Sequence, residues 1–187
     1  MSSAHDSLKG QLLVSSPKLL DPNFEKTVVL MIHHDDEGAF GLVLNRPMMT
    51  TIREVWAQVS ESFCLREDAL HRGGPVEGPL MAIHNNEEYS EMEILPGVYF
   101  SAGADELSGL VAAPEHDTKF FVGHSGWGPG QLESELEEGA WLTTSAESLH
   151  VFRDGEEFWS DVMDEIAGTT IPPALKVKHV PKDPSMN

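Results

Sequence analysis

Residues 27–47, TVVLMIHHDDEGAFGLVLNRP, contain the pattern that decides the fold. Thr27–His34 is β-branched at its start and nearly all apolar, which is typical of a strand buried on both faces. Asp-Asp-Glu-Gly at 35–38 predicts a turn, and Ala39–Pro47 returns as a second strand that its proline ends. The segment therefore predicts a β-hairpin with a loop of about four or five residues.

Further strand patterns lie on both sides of this hairpin, and helical patterns are mixed in without a regular β-α-β order. Apolar runs bounded by turn residues predict strands over 10–16, 80–84, 91–95, 97–101, 119–123 and 140–146. Helical spacing and helix-end signals predict helices over 51–60, 104–113, 129–139 and 154–168. This order favours an α+β domain over a doubly wound sheet.

Two of these helices carry specific end signals. Thr51 and Glu54 have the spacing of a capping box, in which each side chain satisfies a free amide of the helix start. In the last helix, Asp154 predicts the cap, Glu157 completes its box, and Gly168 marks the end.

Residues 1–168 show no internal repeat and no linker, so a single domain is expected there. Residues 169–187 are rich in proline and predict an extended or disordered tail. This tail holds the nearest approach to a basic cluster, Lys176, Lys178 and Lys182, and it is thin.

The bulk composition argues against several classes of function. The 187 residues include 31 acids and 12 bases, for a net charge of −19. This balance repels phosphate backbones and anionic membranes, so direct nucleic-acid or membrane binding is not expected. Cys64 is the single cysteine, and neither a signal-peptide pattern nor a run of roughly 20 apolar residues is present. These features predict a cytoplasmic protein.

A serine in the glycine-rich stretch Gly123–Gly130 raises the question of a nucleophile. A nucleophile elbow needs G-x-S-x-G, and here Trp127 stands at the fifth position. A downstream acid-then-histidine pair could be assembled from Asp154 or Asp161 with His179, but His179 lies in the predicted tail. We therefore predict that Ser125 lies in a tight turn, that Trp127 packs onto the core, and that no residue is catalytic.

The second candidate for chemistry is His33–Glu37, which places five potential metal ligands together. Adjacent strand residues point to opposite faces, so His33 and His34 cannot easily share one ion. No H-x-x-x-H or C-x-x-C spacing accompanies them. The segment predicts a solvated acidic hairpin loop, with a weak surface cation site as the alternative. No metal and no cofactor is predicted.

Four stretches in this order resemble the AlgH/YqgE family of small bacterial proteins. They are GQLLVSSPKLLDPNFEKTVVLMIHH, GAFGLVLNRP, RGGPV followed by LMAIH, and FFVGHSGWGPGQLESELEEGAW. The resemblance implies one α+β domain built on a bent, coiled, mixed β-sheet with helices packed around it. It implies no established activity and no catalytic residues, although one family name carries a transcriptional-regulator label. The family often has Tyr and Ala where His124 and Ser125 stand here, which further weakens catalysis.

Three functional hypotheses follow. The leading one is a non-enzymatic cytosolic protein that binds a partner protein or a small ligand, with a regulatory effect. The second is a hydrolase or metal-assisted hydrolase that uses Gly123–Gly130 or His33–Glu37, and the third is a direct DNA-binding regulator. A ligand site is predicted where the glycine-rich turns meet, because glycines let a ligand approach the backbone closely. Its predicted residues are Arg46, Gly73, Gly74, His124, Ser125 and Trp127, with Arg46 as an anion ligand.

Overall fold

The structure of this protein is a computed structural model that describes residues 7–170. Eleven strands form two sheets, one of five strands and one of six. Five α-helices and the short 3-10 helix Glu87–Tyr89 join or cover them. The α+β class predicted from the sequence is confirmed. The predicted tail lies outside the described residues, apart from its first two positions.

The elements have the following bounds. The strands are β1 (Gln11–Ser15), β2 (Val28–Asp35), β3 (Gly38–Val43), β4 (Pro47–Thr51), β5 (Ala69–Arg72), β6 (Met81–His84), β7 (Met92–Leu95), β8 (Val98–Ser101), β9 (Thr118–Val122), β10 (Ser125–Trp127) and β11 (Trp141–Ser145). The helices are α1 (Ile52–Val59), α2 (Ala104–Val111), α3 (Gln131–Glu137), α4 (Ser148–Val151) and α5 (Phe158–Thr170).

The first sheet, in the order β10-β3-β2-β1-β11, contains the hairpin on which the fold prediction rests. All of its strand pairs are antiparallel. On β2, Leu30 and Ile32 belong to the core cluster shared with the second sheet, whereas Val29 and Met31 pack against Trp127 and the rest of a separate cluster. The central strand is therefore buried on both faces, as its sequence predicts.

The second sheet has the order β4-β5-β9-β6-β8-β7. β5 and β9 run parallel, and the other pairs are antiparallel, so the sheet is mixed. On β9, Phe121 packs toward the first sheet, while Phe120 packs with residues of α1 and α2. Helices thus cover the outer face of this sheet.

The hairpin differs from its prediction at both ends. β2 reaches Asp35 and β3 begins at Gly38, so the turn between them is shorter than the loop of four or five residues expected. β3 ends at Val43, before the proline that was expected to end it. Beyond the end of β3, the Asn45 side chain forms hydrogen bonds to the neighbouring backbone in place of a strand partner. It accepts from the Val28 amide at 3.0 Å and donates to the Lys26 carbonyl at 2.9 Å.

Pro47 begins β4 instead of ending β3. A proline fits the first position of an edge strand, because its missing amide removes no interior ladder bond. The chain thereby crosses from the first sheet to the edge of the second within the segment Leu44–Pro47.

The two predicted helix ends have different outcomes. The Thr51–Glu54 capping box is present at the start of α1, as predicted. The last helix begins at Phe158, so Asp154 does not cap it, and it continues through Gly168 to Thr170. The Asp154 carboxylate instead lies 3.5 Å from the Lys119 ammonium. A buried cation attracts that carboxylate more strongly than a solvated helix start does.

None of the helices within residues 7–170 is long and apolar enough to cross a bilayer.

Candidate functional site

A cavity of about 420 Å³ lies at the edge of the second sheet. Its walls are the crossing segment after β3, the adjoining ends of β5 and β9, and the segment Arg153–Glu156 between α4 and α5. We call it the Lys119 cavity. This volume falls within the range of small-molecule pockets in proteins.

Lys119 is buried in the wall of this cavity, with 4% of its surface exposed. Its ammonium donates to the Arg153 carbonyl at 2.5 Å and to the Leu44 carbonyl at 3.3 Å. Burial lowers the pKa of Lys119 to about 8, although the nearby Asp154 carboxylate opposes that shift. At neutral pH the side chain is therefore a buried cation that links the Arg153 segment to the first sheet.

His71 lies beside Lys119, because β5 and β9 pair in parallel with His71 opposite Phe121. Lys119 stands two residues before Phe121, so both side chains emerge on the same sheet face as diagonal neighbours. His71 Nε2 lies 3.7 Å from Asp154 Oδ1, beyond hydrogen-bonding distance. Its Nδ1 is buried and makes no hydrogen bond to any described residue.

The electrostatics of the cavity keep this imidazole neutral. Burial, and secondly the charge of Lys119, lower the pKa of His71 to about 4. The neutral ring offers one N–H donor and one nitrogen lone pair. The Lys119 cavity thus combines a buried cation, an incompletely bonded neutral imidazole and the Asp154 carboxylate, whose side chain is 75% exposed.

Sequence reasoning missed all three of these residues as site components. The sequence predicts an ordinary strand around Lys119 and a helix cap at Asp154, and it assigns no site role to His71. One local signal was available: a lysine that directly precedes the apolar run Phe120–Val122. A charged residue at the start of a buried strand needs a partner, and here that partner comes from the segment before α5.

Ser125 is on β10, paired with Gly41 of β3, and so lies in a strand and not in the predicted turn. The three-residue strand escaped prediction because Gly123 and Gly126 flank the pair His124-Ser125, and glycines are typical of a turn. Its hydroxyl is fully buried and donates to the Gly73 carbonyl at 3.0 Å. A hydroxyl that is excluded from solvent and bonded in this way supports the fold and is not placed to attack a substrate.

Replacing Ser125 with alanine is expected to lower the free energy of unfolding by about 1 kcal/mol, the typical net value of one buried hydrogen bond. Urea denaturation of the wild type and the variant measures this change. A hydrolytic activity that the wild type has and the alanine variant lacks would contradict this structural role.

His124 directly precedes the short strand, Trp127 is its last residue, and their side chains lie in different environments. The His124 ring lies 4.9 Å from the Phe40 ring, and its Nδ1 is buried without a hydrogen-bond partner in the described chain. Burial lowers the pKa of His124. Trp127 packs into the core, as predicted, and its Nε1 donates to Glu135 at 3.0 Å.

The two glycine turns do meet, as the sequence suggested. A Cβ on Gly73 would lie 2.4 Å from the Gly123 carbonyl oxygen, and one on Gly74 would lie 2.2 Å from the His124 carbonyl. Val76 and His124 also exchange backbone hydrogen bonds at 3.0 and 2.9 Å. The glycines are therefore needed for backbone packing, and this contact fills the space where a ligand was expected.

Arg46 lies on another side of this junction. It lines a separate cavity of about 90 Å³ together with Gly74, whereas Ser125 and Trp127 are not in its wall. Of the six predicted residues, the wall of this cavity contains Arg46 and Gly74.

The segment His33–Glu37, predicted as a solvated acidic loop with a weak cation site as the alternative, has its two histidines in different environments. His33 is exposed and bonds Asp35 at 2.8 Å, and the buried His34 bonds Glu133 at 2.8 Å. Across the described part of the chain, no group of three or more His, Cys, Asp or Glu side chains could hold a metal ion.

Comparison with known proteins identifies the family. Residues 12–171 match the family model described as AlgH-like. The chain belongs to this AlgH-like family. Among its relatives, a UPF0301 protein of Chlorobaculum tepidum is 36% identical, with 100% of each chain covered. A UPF0301 protein of Streptomyces coelicolor is 37% identical and covers 97% of this chain and 96% of its own.

A solved structure supports the same assignment. The solution structure of the AlgH protein from Pseudomonas aeruginosa has a TM-score of 0.72 and 29% identity to this AlgH-like chain. The match covers 98% of this chain and 100% of that one. The family resemblance predicted from the sequence motifs is thus confirmed.

Proposed function

We propose that this AlgH-like protein binds a small organic molecule in the Lys119 cavity and acts without chemical turnover. The observation that carries the proposal is the burial of two ionisable side chains, Lys119 and His71, in the wall of one cavity. Burial of such groups costs folding free energy, and perturbed ionisable groups in a cleft are a frequent mark of functional sites.

The chemistry of the lining indicates what the ligand presents. The Lys119 ammonium has one short bond, to the Arg153 carbonyl, and two longer contacts, to the Leu44 carbonyl at 3.3 Å and to the Asp154 carboxylate at 3.5 Å. An acceptor oxygen of a ligand could replace one of the two longer contacts. The buried Nδ1 of His71 has no hydrogen-bond partner among residues 7–170. The fitting ligand is a polar metabolite with a carbonyl or carboxylate oxygen toward Lys119 and a hydroxyl or amide toward His71.

The position of Asp154 suggests how binding is transmitted. Asp154 belongs to the segment between α4 and α5, and its carboxylate faces both Lys119 and His71. A ligand that replaces this contact would release or reposition the segment at the protein surface. We infer a regulatory role through a protein partner in the cytoplasm. With a chain charge of −19, that partner is expected to have a basic surface, and direct nucleic-acid binding is not proposed.

A thermal-shift screen against metabolites tests this function. A ligand that binds only the folded state should raise the melting temperature until binding saturates. At 100 times its dissociation constant, the ligand should add roughly 2.7 kcal/mol to the free energy of unfolding. Lys119→Met and His71→Gln should each remove the shift, because each deletes a polar contact of the cavity. Lys18→Met, the same substitution at an exposed lysine, should leave it unchanged.

Two outcomes would contradict the proposal. A ligand that still stabilises both cavity variants must bind elsewhere. A screen without any saturable shift would favour a protein partner as the sole ligand.

A further inference from the structure

Two arginines converge on the small cavity of about 90 Å³ beside Gly74. Arg46 comes from the crossing segment after β3, and Arg72 is the last residue of β5. The Arg72 amide donates to the Arg46 carbonyl at 2.9 Å, so the two backbones are held together at this point. Their side chains therefore start from neighbouring positions and line the same space.

Neither guanidinium forms an ion pair with a carboxylate among the described residues. This contrasts with Arg66, which pairs with Asp68 at 2.7 Å, and with Arg153, which pairs with Asp161. In a chain with 31 acids and 12 bases, two adjacent arginines without a carboxylate are exceptional. An anion bound between the two cations would offset their mutual repulsion.

The rest of the wall does not supply that negative charge. It consists of Pro22, Asn23, Val43, Gly74 and Pro75. The nearest acid by sequence, Asp21, uses its Oδ1 to accept from the Asn23 amide at 2.9 Å. Gly74 adds no side chain, because the His124 backbone leaves no room for a Cβ. The described wall of the cavity therefore offers arginine donors and contains no carboxylate.

Arg46 is oriented before any ligand arrives. Its Nη2 donates to the Glu25 carbonyl at 2.5 Å, which fixes one edge of the planar guanidinium. A guanidinium has five N–H donors, so the remaining ones are available to a second acceptor. A fixed, planar donor loses little conformational freedom when it binds an oxyanion.

We propose that Arg46 and Arg72 form a binding site for a phosphate group. The volume of about 90 Å³ equals roughly three water molecules, so it suits one phosphate group. Two arginines match a doubly charged phosphate through paired N–H···O bonds. This site is separate from the Lys119 cavity. Arg46 lines the phosphate site, whereas its neighbours Asn45 and Pro47 line the Lys119 cavity.

Calorimetric titration with inorganic phosphate at constant ionic strength tests the site. Saturable binding is expected for the wild type, and Arg72→Gln and Arg46→Gln should each weaken it by at least about tenfold. Arg72 is exposed, so its variant should fold normally even if the loss of the Arg46–Glu25 contact destabilises the other. Arg53→Gln, at an exposed arginine of α1 whose Glu67 contact is 3.6 Å long, is the matched control and should bind as the wild type does.

The bound phosphate group could be free phosphate or part of a phosphorylated metabolite, and a second titration with glycerol phosphate distinguishes these two sources. Tighter binding of the monoester identifies a phosphorylated metabolite, and equal or weaker binding identifies free phosphate; both agree with the site. Lys119→Met should retain phosphate binding, so failure of the proposed function and failure of this site give different results. No saturable binding by the wild type, or unchanged binding by Arg72→Gln, would overturn the proposal.

Discussion

Acidification from pH 7 to pH 4.5 is expected to remove about 2–3 kcal/mol of the free energy of unfolding for each of two buried histidines, His71 and His84. Burial lowers the pKa of both to about 4, from an ordinary value of 6.5. The unfolded chain therefore binds protons near pH 6.5, whereas the folded chain does not until about pH 4. Between these values the unfolded state holds more protons, so stability is complete above pH 6.5 and falls as the pH decreases.

His84 shows the structural reason. Its Nδ1 accepts from the Asn86 amide at 3.2 Å, so the ring proton is on Nε2 and donates to the Ser101 hydroxyl at 2.9 Å. Ser101 in turn donates to the Tyr89 carbonyl. A second proton on the fully buried ring would leave the Asn86 amide without its acceptor and place a charge in the core.

Urea denaturation at several pH values between 7 and 4.5 measures this effect. Other groups also titrate in this range, so the informative quantity is the difference between the wild type and His84→Gln, whose amide can accept and donate without titrating. The variant should lose about 2–3 kcal/mol less than the wild type on acidification. Parallel pH profiles for the wild type and His84→Gln would disprove the assignment.

Gly74→Ala is expected to lower the free energy of unfolding by roughly 3 kcal/mol or more. Its Cβ would lie 2.2 Å from both the carbon and the oxygen of the His124 carbonyl and 2.4 Å from the Ser125 nitrogen. All three are backbone atoms, so no rotamer change can relieve the contact. The junction between the segment Gly73–Val76 and β10 would have to separate, and the buried bond from Ser125 to Gly73 would be lost with it.

The matched control is Gly126→Ala in the same short strand. A Cβ on Gly126 meets no atom within 4 Å, so its effect should be within about 0.5 kcal/mol of zero. Chemical denaturation of the two variants gives the comparison directly. Equal stabilities would show that the glycine junction can rearrange and that its close packing is not required.

The parts of the fold that could be predicted are those whose signal is local. The double burial of β2 is visible in its apolar run, and the capping box of α1 is visible in two residues. β5 and β10 were missed because neither is an apolar run: β5 ends in His71 and Arg72, and β10 has a glycine at its centre. Both are strands because tertiary pairing with β9 and β3 supplies their hydrogen bonds.

The candidate site was predicted less well for the same physical reason. His71 and Lys119 become neighbours through the parallel pairing of two strands that are distant along the chain, and Asp154 reaches them from a third segment. No local pattern encodes that meeting. The glycine junction could be foreseen, because glycine has a recognisable steric role, but the sequence could not show that backbone atoms fill it.

The pairing of β1 with β11 affects how the chain folds as it is synthesised. Gln11 lies opposite Ser145, so one edge of β1 stays without its neighbour until the ribosome has released most of the chain. The hairpins of β1, β2 and β3 can form early, but their open edge exposes unpaired amides and carbonyls in the nascent protein. Such distant pairing slows folding, and fragments that end before Trp141 should be prone to edge-to-edge association.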